Sequence, residues 1–134
     1  MTGRKAGMAL VIGMTAGLLV AGPVVGADPA AIRRAISEML TASRAMAANH
    51  DRGDLLGIVA GAARVIEAGQ RALDAFPTPG NRHARDAAEH VREAIRSAER
   101  AAEAATQGRS DDALAHARRT LSHVRQGAGH ADAL

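Results

Sequence analysis

Apolar residues in this chain recur at three and four positions in four successive stretches, the period of a helix with one buried face. The first stretch carries Ile32, Ala35, Ile36, Met39, Leu40, Ser43, Met46 and Ala47, with Arg33, Arg34, Glu38 and Arg44 off the stripe. The second carries Leu55, Leu56, Val59, Ala62, Ala63, Ile66, Gly69, Leu73 and Phe76. The third is mostly alanine: Ala84, Ala87, Ala88, Val91, Ala94, Ile95, Ala98, Ala101, Ala102 and Ala105. The fourth is short, with Leu114, Ala117, Leu121 and Val124. No segment alternates with the two-residue period of a strand.

Punctuation between the stripes sets the boundaries. Asp28 can cap a first helix and Pro29 is tolerated at its first position. Asn49-His50-Asp51-Arg52-Gly53-Asp54 reads as a turn, and Asp54 caps the second helix. Gly57, Gly61 and Gly69 weaken that helix by up to ~1 kcal/mol each, and their spacing marks a face where a neighbour comes close. Phe76-Pro77-Thr78-Pro79-Gly80 ends it, since neither proline continues a helix. Gly108 stops the third helix and Ser110 caps the fourth, with Asp111 and Asp112 placed well against its dipole. Gly127 and Gly129 mark its fraying end. The expected helices cover about 29–49, 54–76, 80–107 and 111–126. Three short connections predict an all-α fold, an up-down-up-down antiparallel four-helix bundle over residues 28–134.

Ahead of the first helix, Arg4 and Lys5 precede a run from Ala6 to Ala27 that carries no charge. Met8 to Val20 is apolar, and Val25-Gly26-Ala27 offers the small residues a signal peptidase reads. This is the layout of an N-terminal signal peptide over residues 1–27, cleaved after Ala27. It implies a periplasmic protein without membrane attachment once cut. A retained anchor is the competing reading, because the uncharged run just reaches the ~20 residues a bilayer needs. The four glycines from Gly7 to Gly22 and the clean site before Asp28 favour cleavage.

Composition then narrows the function. Without Arg4 and Lys5 the chain holds 15 arginines against 14 acidic residues and no lysine, so the basic pI is no basic patch. Charges of both signs alternate along the helices, as on solvated faces. One aromatic, Phe76, leaves no stacking platform for single strands, so a nucleic-acid partner is not expected. There is no cysteine, which excludes thiolate metal sites, iron–sulfur clusters and covalent haem attachment. No phosphate loop, dinucleotide fingerprint or nucleophile elbow appears, and no serine or threonine can be defended as a nucleophile. An enzyme is not expected.

The histidines carry the chemistry. His83 and His90 are seven apart, and His116, His123 and His130 repeat that spacing. Seven residues are two turns, so each set forms a row about 10.5 Å per step along one face. Both rows are displaced to the same side of their apolar stripes, so they either face each other across the seam or both point outward. If they face, numbers summing to about 217 are level, which brings His123 within reach of His90 and sets His130 near Asp86, His90 and His83. Two histidines of one row are too far apart to share an ion. A site therefore combines His with a carboxylate one turn away, as in Asp86–His90, His90–Glu93 and Asp112–His116, or adds a His from the next helix. His90 and His123 with Glu93 make the first site; His83, Asp86 and His130 make a second, weaker one. Imidazole with carboxylate suits borderline divalent ions, Cu²⁺ before Zn²⁺ or Ni²⁺. The plainer reading is that these are polar fillers on exposed flanks. His50, alone in the first turn, and Met39 and Met46, on a core stripe, are weaker candidates.

From Ala87 onward the chain resembles the small metal-binding protein family of bacterial periplasms. The likeness rests on the E-H-V-x-E-A segment at Glu89 to Ala94, A-H-A at Ala115 to Ala117, and G-H-A-D at Gly129 to Asp132. It implies a short exported four-helix bundle with His-bearing heptads that takes up copper and other divalent ions, for scavenging, storage or detoxification. Ser97 and Arg109 stand where the heptad rows would continue. The alternative is a periplasmic helical interaction or chaperone-like stress protein, marked by an apolar groove in place of converged histidines. A haem bundle with Met39 or Met46 as axial ligand lacks the bulky residues that would wall a haem.

Intact mass of the protein from a periplasmic fraction checks the leader. The expected chain starts at Asp28; one that still carries Met1 to Ala27 is an anchored protein instead.

Overall fold

The computed structural model describes residues 28–76 and 80–134; the leader reading, and the prolines expected to end the second helix, lie outside them. Four helices follow in order: α1 (Pro29–Asp51), α2 (Leu55–Ala75), α3 (Arg82–Thr106) and α4 (Ser110–Ala131). No strand occurs among the described residues. Three starts are capped by side chains. The Asp28 carboxylate accepts from the amides of Ala30 and Ala31, Asp54 from Gly57, and Asn81 from Ala84. Ser110 is not the cap expected of it. It is the first residue of α4, Arg109 holds the cap position, and no side chain bonds the free amides there. Gly53 and Gly108 both sit at positive φ, +70° and +72°, which lets the chain reverse into α2 and α4 without strain.

Two boundaries moved. α1 runs two residues past its expected end, so His50 belongs to its last turn and not to a loop. α4 continues through Gly127 and Gly129 to Ala131. Gly127 is buried against α3, and that packing outweighs the ~1 kcal/mol a mid-helix glycine costs.

The helices pack in a ring, α1 on α2, α2 on α3, α3 on α4 and α4 back on α1, with little contact between α2 and α4. Met46 lies on Gly61, and Met39 reaches Gly69. The core is unevenly filled. Ile32, Met39, Met46, Ile58 and Val65 are the large fully buried side chains of α1 and α2, while α3 and α4 offer chiefly Val91 and Val124 among alanines.

α2 buries a face rotated slightly from the expected stripe, whose Leu55, Val59, Ile66, Leu73 and Phe76 line its edge against the core. Ile58, Ala62, Val65, Ala68 and Ala72 are buried with Gly61 and Gly69, while Leu56 is 82% exposed and Ala63 faces solvent. Close approach explains this. A Cβ at Gly61 would fall 2.5 Å from the Met46 Cγ, and one at Gly69 would fall 2.8 Å from the Ile95 Cγ1. Two neighbours thus come in over glycine, and the stripe turns toward them. Gly57 is different: its missing side chain makes room for Asp54 and Asn49 at the turn.

Chemical denaturation separates the two faces. Ile58→Ala is expected to cost about 2–5 kcal/mol, as a buried truncation does. Leu56→Ala should stay within about 0.5 kcal/mol, as an exposed one does. Equal losses at both positions would contradict the buried face described here.

Candidate metal-binding seam

α3 and α4 pack on one another, and both bury chiefly small residues, Ala84, Ala87, Ala94, Ala98 and Ala101 in α3 and Ala113, Ala117 and Gly127 in α4. At Gly127 a Cβ would sit 3.5 Å from the His90 Cβ and 3.6 Å from the Ala87 carbonyl oxygen. His90 is therefore level with Gly127, where the sum near 217 places it. His123 and His130 stand four residues before and three after that glycine, so each reaches His90 from one side.

The rings interleave. His90 and His123 are 5.8 Å apart between ring centres and tilted by 33°. His90 and His130 stack at 5.5 Å with 11° between planes, and His130 meets His83 at 5.9 Å and 38°. The order His123, His90, His130, His83 thus makes a zigzag along the edge of the seam. The two rows face each other. His90, His123 and His130 are half-buried and His83 is exposed. The Nδ1 atoms of His90 and His123 stand 3.5 Å apart, one able to donate to the other when a single proton lies between them.

The carboxylates expected beside these rings are held by arginines. Glu93 pairs with Arg96, Asp86 with Arg82 at 3.6 Å, and Asp112 with Arg109 at 2.6 Å. His116 stands apart from the zigzag, because the α3 position that would continue the row is Ser97, which is buried. The His116 Nδ1 is buried without a hydrogen-bond partner. Among the described residues, no three His, Cys, Asp or Glu side chains converge on one point.

His50 makes a contact that spacing does not show. Its Nε2 lies 3.3 Å from the Ser110 Oγ, tying the end of α1 to the start of α4. Its Nδ1 is 3.7 Å from the Asp51 carboxylate, too long for a hydrogen bond, and is left unpartnered. The residues are 60 apart in the chain, so only the bundle brings them together.

With this geometry in hand, the chain was compared with known proteins. It matches no protein-family model, no curated protein and no solved structure. The reading of the seam rests on its own atoms.

Burial lowers the pKa of His90 first, then the charges of His123 and His130 add to it, against the pull of Asp86 and Glu89. His116 is lowered chiefly by burial, then by Arg119 and Arg100, with Asp112 opposing. Both rings thus favour the neutral, ligating form. A lowered histidine pKa means that the unfolded chain binds protons more readily. Stability is therefore held above about pH 6.5 and lost as pH falls through it toward the folded values. In an NMR titration of the ring protons, His90 and His116 should give midpoints below that ordinary value, and His123→Ala should raise the midpoint of His90. A midpoint for His90 at or above the ordinary value would remove the electrostatic picture of the zigzag.

Proposed function

We propose that this protein binds divalent transition-metal ions at the α3–α4 seam, Cu²⁺ ahead of Zn²⁺ and Ni²⁺, without catalysing a reaction. The observation that carries the reading is the 3.5 Å between the Nδ1 atoms of His90 and His123. An ion bonded to imidazole nitrogen at about 2.0–2.1 Å holds two adjacent donors roughly 3–3.4 Å apart. The pair stands within a few tenths of an ångström of a chelate, contributed by two helices that the fold already holds together. The tilted pair His83 and His130 offers a second, more exposed site one heptad away. Glu93, Asp86 and Asp112 would join only by leaving Arg96, Arg82 and Arg109.

Converged imidazoles favour this reading over a helical interaction protein. A cleft of about 330 Å³ between α1 and α2 is lined by Glu38, Arg64, Glu67 and Arg71 with only Ala42 and Ala45 as apolar walls, which is not the surface an apolar helix would dock on. The small apolar cleft of about 140 Å³ between α1 and α4 has Ile36, Leu40 and Ala128 on its walls but space for only one side chain. No described helix is long and apolar enough to cross a membrane. The resemblance to the small metal-binding proteins, the leader and an up-down-up-down antiparallel course of the helices fit the same proposal: a periplasmic scavenger, store or detoxifier of metal.

Sites of this kind bind near micromolar, about −8 kcal/mol. Binding should weaken below about pH 6.5, where protons compete for the imidazoles. Calorimetric titration with Cu²⁺ at pH 7.5 and 5.5 compares wild type with the His90→Ala, His123→Ala double variant. The double variant should lose the tighter site, and wild type should bind less well at the lower pH. Equal binding by both proteins at both pH values would make these histidines ordinary surface residues and put the interaction protein first.

A further inference from the structure

If the seam binds metal, its geometry also bears on how the ion leaves. We propose that the seam is a transfer site, which passes its ion to a chelating acceptor by direct ligand exchange and not by prior release into water. The inference rests on the metal reading above and adds the partner's chemistry: an acceptor that presents two or more nitrogen, sulfur or carboxylate donors.

Three observations carry it. Every His, Asp and Glu of the chain lies among the described residues, since residues 1–27 and 77–79 contain none. Yet no three of these side chains converge. An ion between His90 and His123 therefore holds two protein nitrogens, and four-coordinate zinc or tetragonal copper has further positions to fill. The acidic groups within a turn of His90 are engaged, Asp86 by Arg82, Glu89 by Arg92 and Glu93 by Arg96. Finally, the rings of His90 and His123 are only half-buried, and His83 at the end of the zigzag is exposed. An ion held there would keep solvent within reach of its remaining positions, because neither ring is fully buried.

An incoming donor can occupy such a position before either imidazole lets go. Bonds to the acceptor form while bonds to His90 and His123 break one at a time, with no charge or redox change and with the ion never free. An enclosed store with all positions filled by protein would behave otherwise. There the first ligand must leave before anything enters, and the rate of loss is set by the protein alone.

The test loads the purified protein with one equivalent of Cu²⁺, removes unbound metal, and mixes it in a stopped-flow cell with increasing EDTA. Loss of the protein–copper absorption is followed. The expected rate rises in proportion to EDTA across the range. A rate that stays the same at every EDTA concentration overturns the transfer proposal while leaving metal binding intact. The double variant His90→Ala, His123→Ala should lose the population that shows this dependence; unchanged kinetics there would move transfer away from the seam and overturn the assignment. If equilibrium dialysis finds no copper retained by wild type, the metal reading fails first and the transfer site with it.

Discussion

The close approach of α3 and α4 is the constraint on which the rest of this structure depends. Alanine at Ala84, Ala87, Ala94 and Ala101, and glycine at Gly127, let the two backbones come near enough for side chains at the seam's edge to interleave. Helices with leucine at those positions stand toward the wide end of the usual 8–10 Å separation. The imidazoles of His90 and His123 would then reach toward each other without meeting. The glycine level with His90 is part of that approach: a Cβ at position 127 would rest 3.5 Å from the His90 Cβ and 3.6 Å from the Ala87 carbonyl oxygen.

That arrangement divides the bundle into unlike halves. α1 and α2 supply the large buried side chains, Ile32, Met39, Met46, Ile58 and Val65, whose burial contributes about 1.5–3 kcal/mol each. α3 and α4 gain from dense small-residue contacts, which are individually weak. The half that bears the histidines is therefore the less firmly anchored one, joined to the other along α2–α3 and α1–α4. Ligand linkage acts on this weakness. An ion that binds both α3 and α4 in the folded state stabilises the seam in proportion to its own occupancy. If the proposed metal binding holds, stability and metal loading are two readings of one equilibrium.

The number and order of helices were legible from period and capping residues, because apolar spacing and short polar connections determine them locally. The buried face of α2 was legible only in part. Leu55, Val59, Ile66, Leu73 and Phe76 pack against the core as expected, but the fully buried line runs one position over through Ile58, Val65, Ala68 and Ala72, and only Leu56 of the large apolar residues is left in solvent. The close approach expected at the glycines is met at Gly61 and Gly69, where Met46 and Ile95 come in. The end of α4 was missed because Gly127, which reads as fraying, is held by tertiary contact with α3, and the helix continues through exposed Gly129. The level of His90 with Gly127 followed from the length of the turn at Gly108. Whether the rows face inward was left open, because helix spacing gives each row's side but not the handedness of the bundle. The contact between His50 and Ser110 had no sequence signal at all.

The carboxylates show where spacing runs out. Glu93 lies three residues after His90 and three before Arg96, so a helix offers it either neighbour on equal terms. It takes Arg96. Pairs of this kind, half in water, are worth less than about 1 kcal/mol, and a bound ion can draw the carboxylate away. Hard cations such as Ca²⁺ and Mg²⁺ need several oxygens at once, and here each oxygen donor must first leave an arginine. A borderline ion needs only the imidazoles, which already stand together. Under the proposed metal binding, the arginines would add a small cost to an oxygen-rich site and leave the nitrogen pair of His90 and His123 as it is.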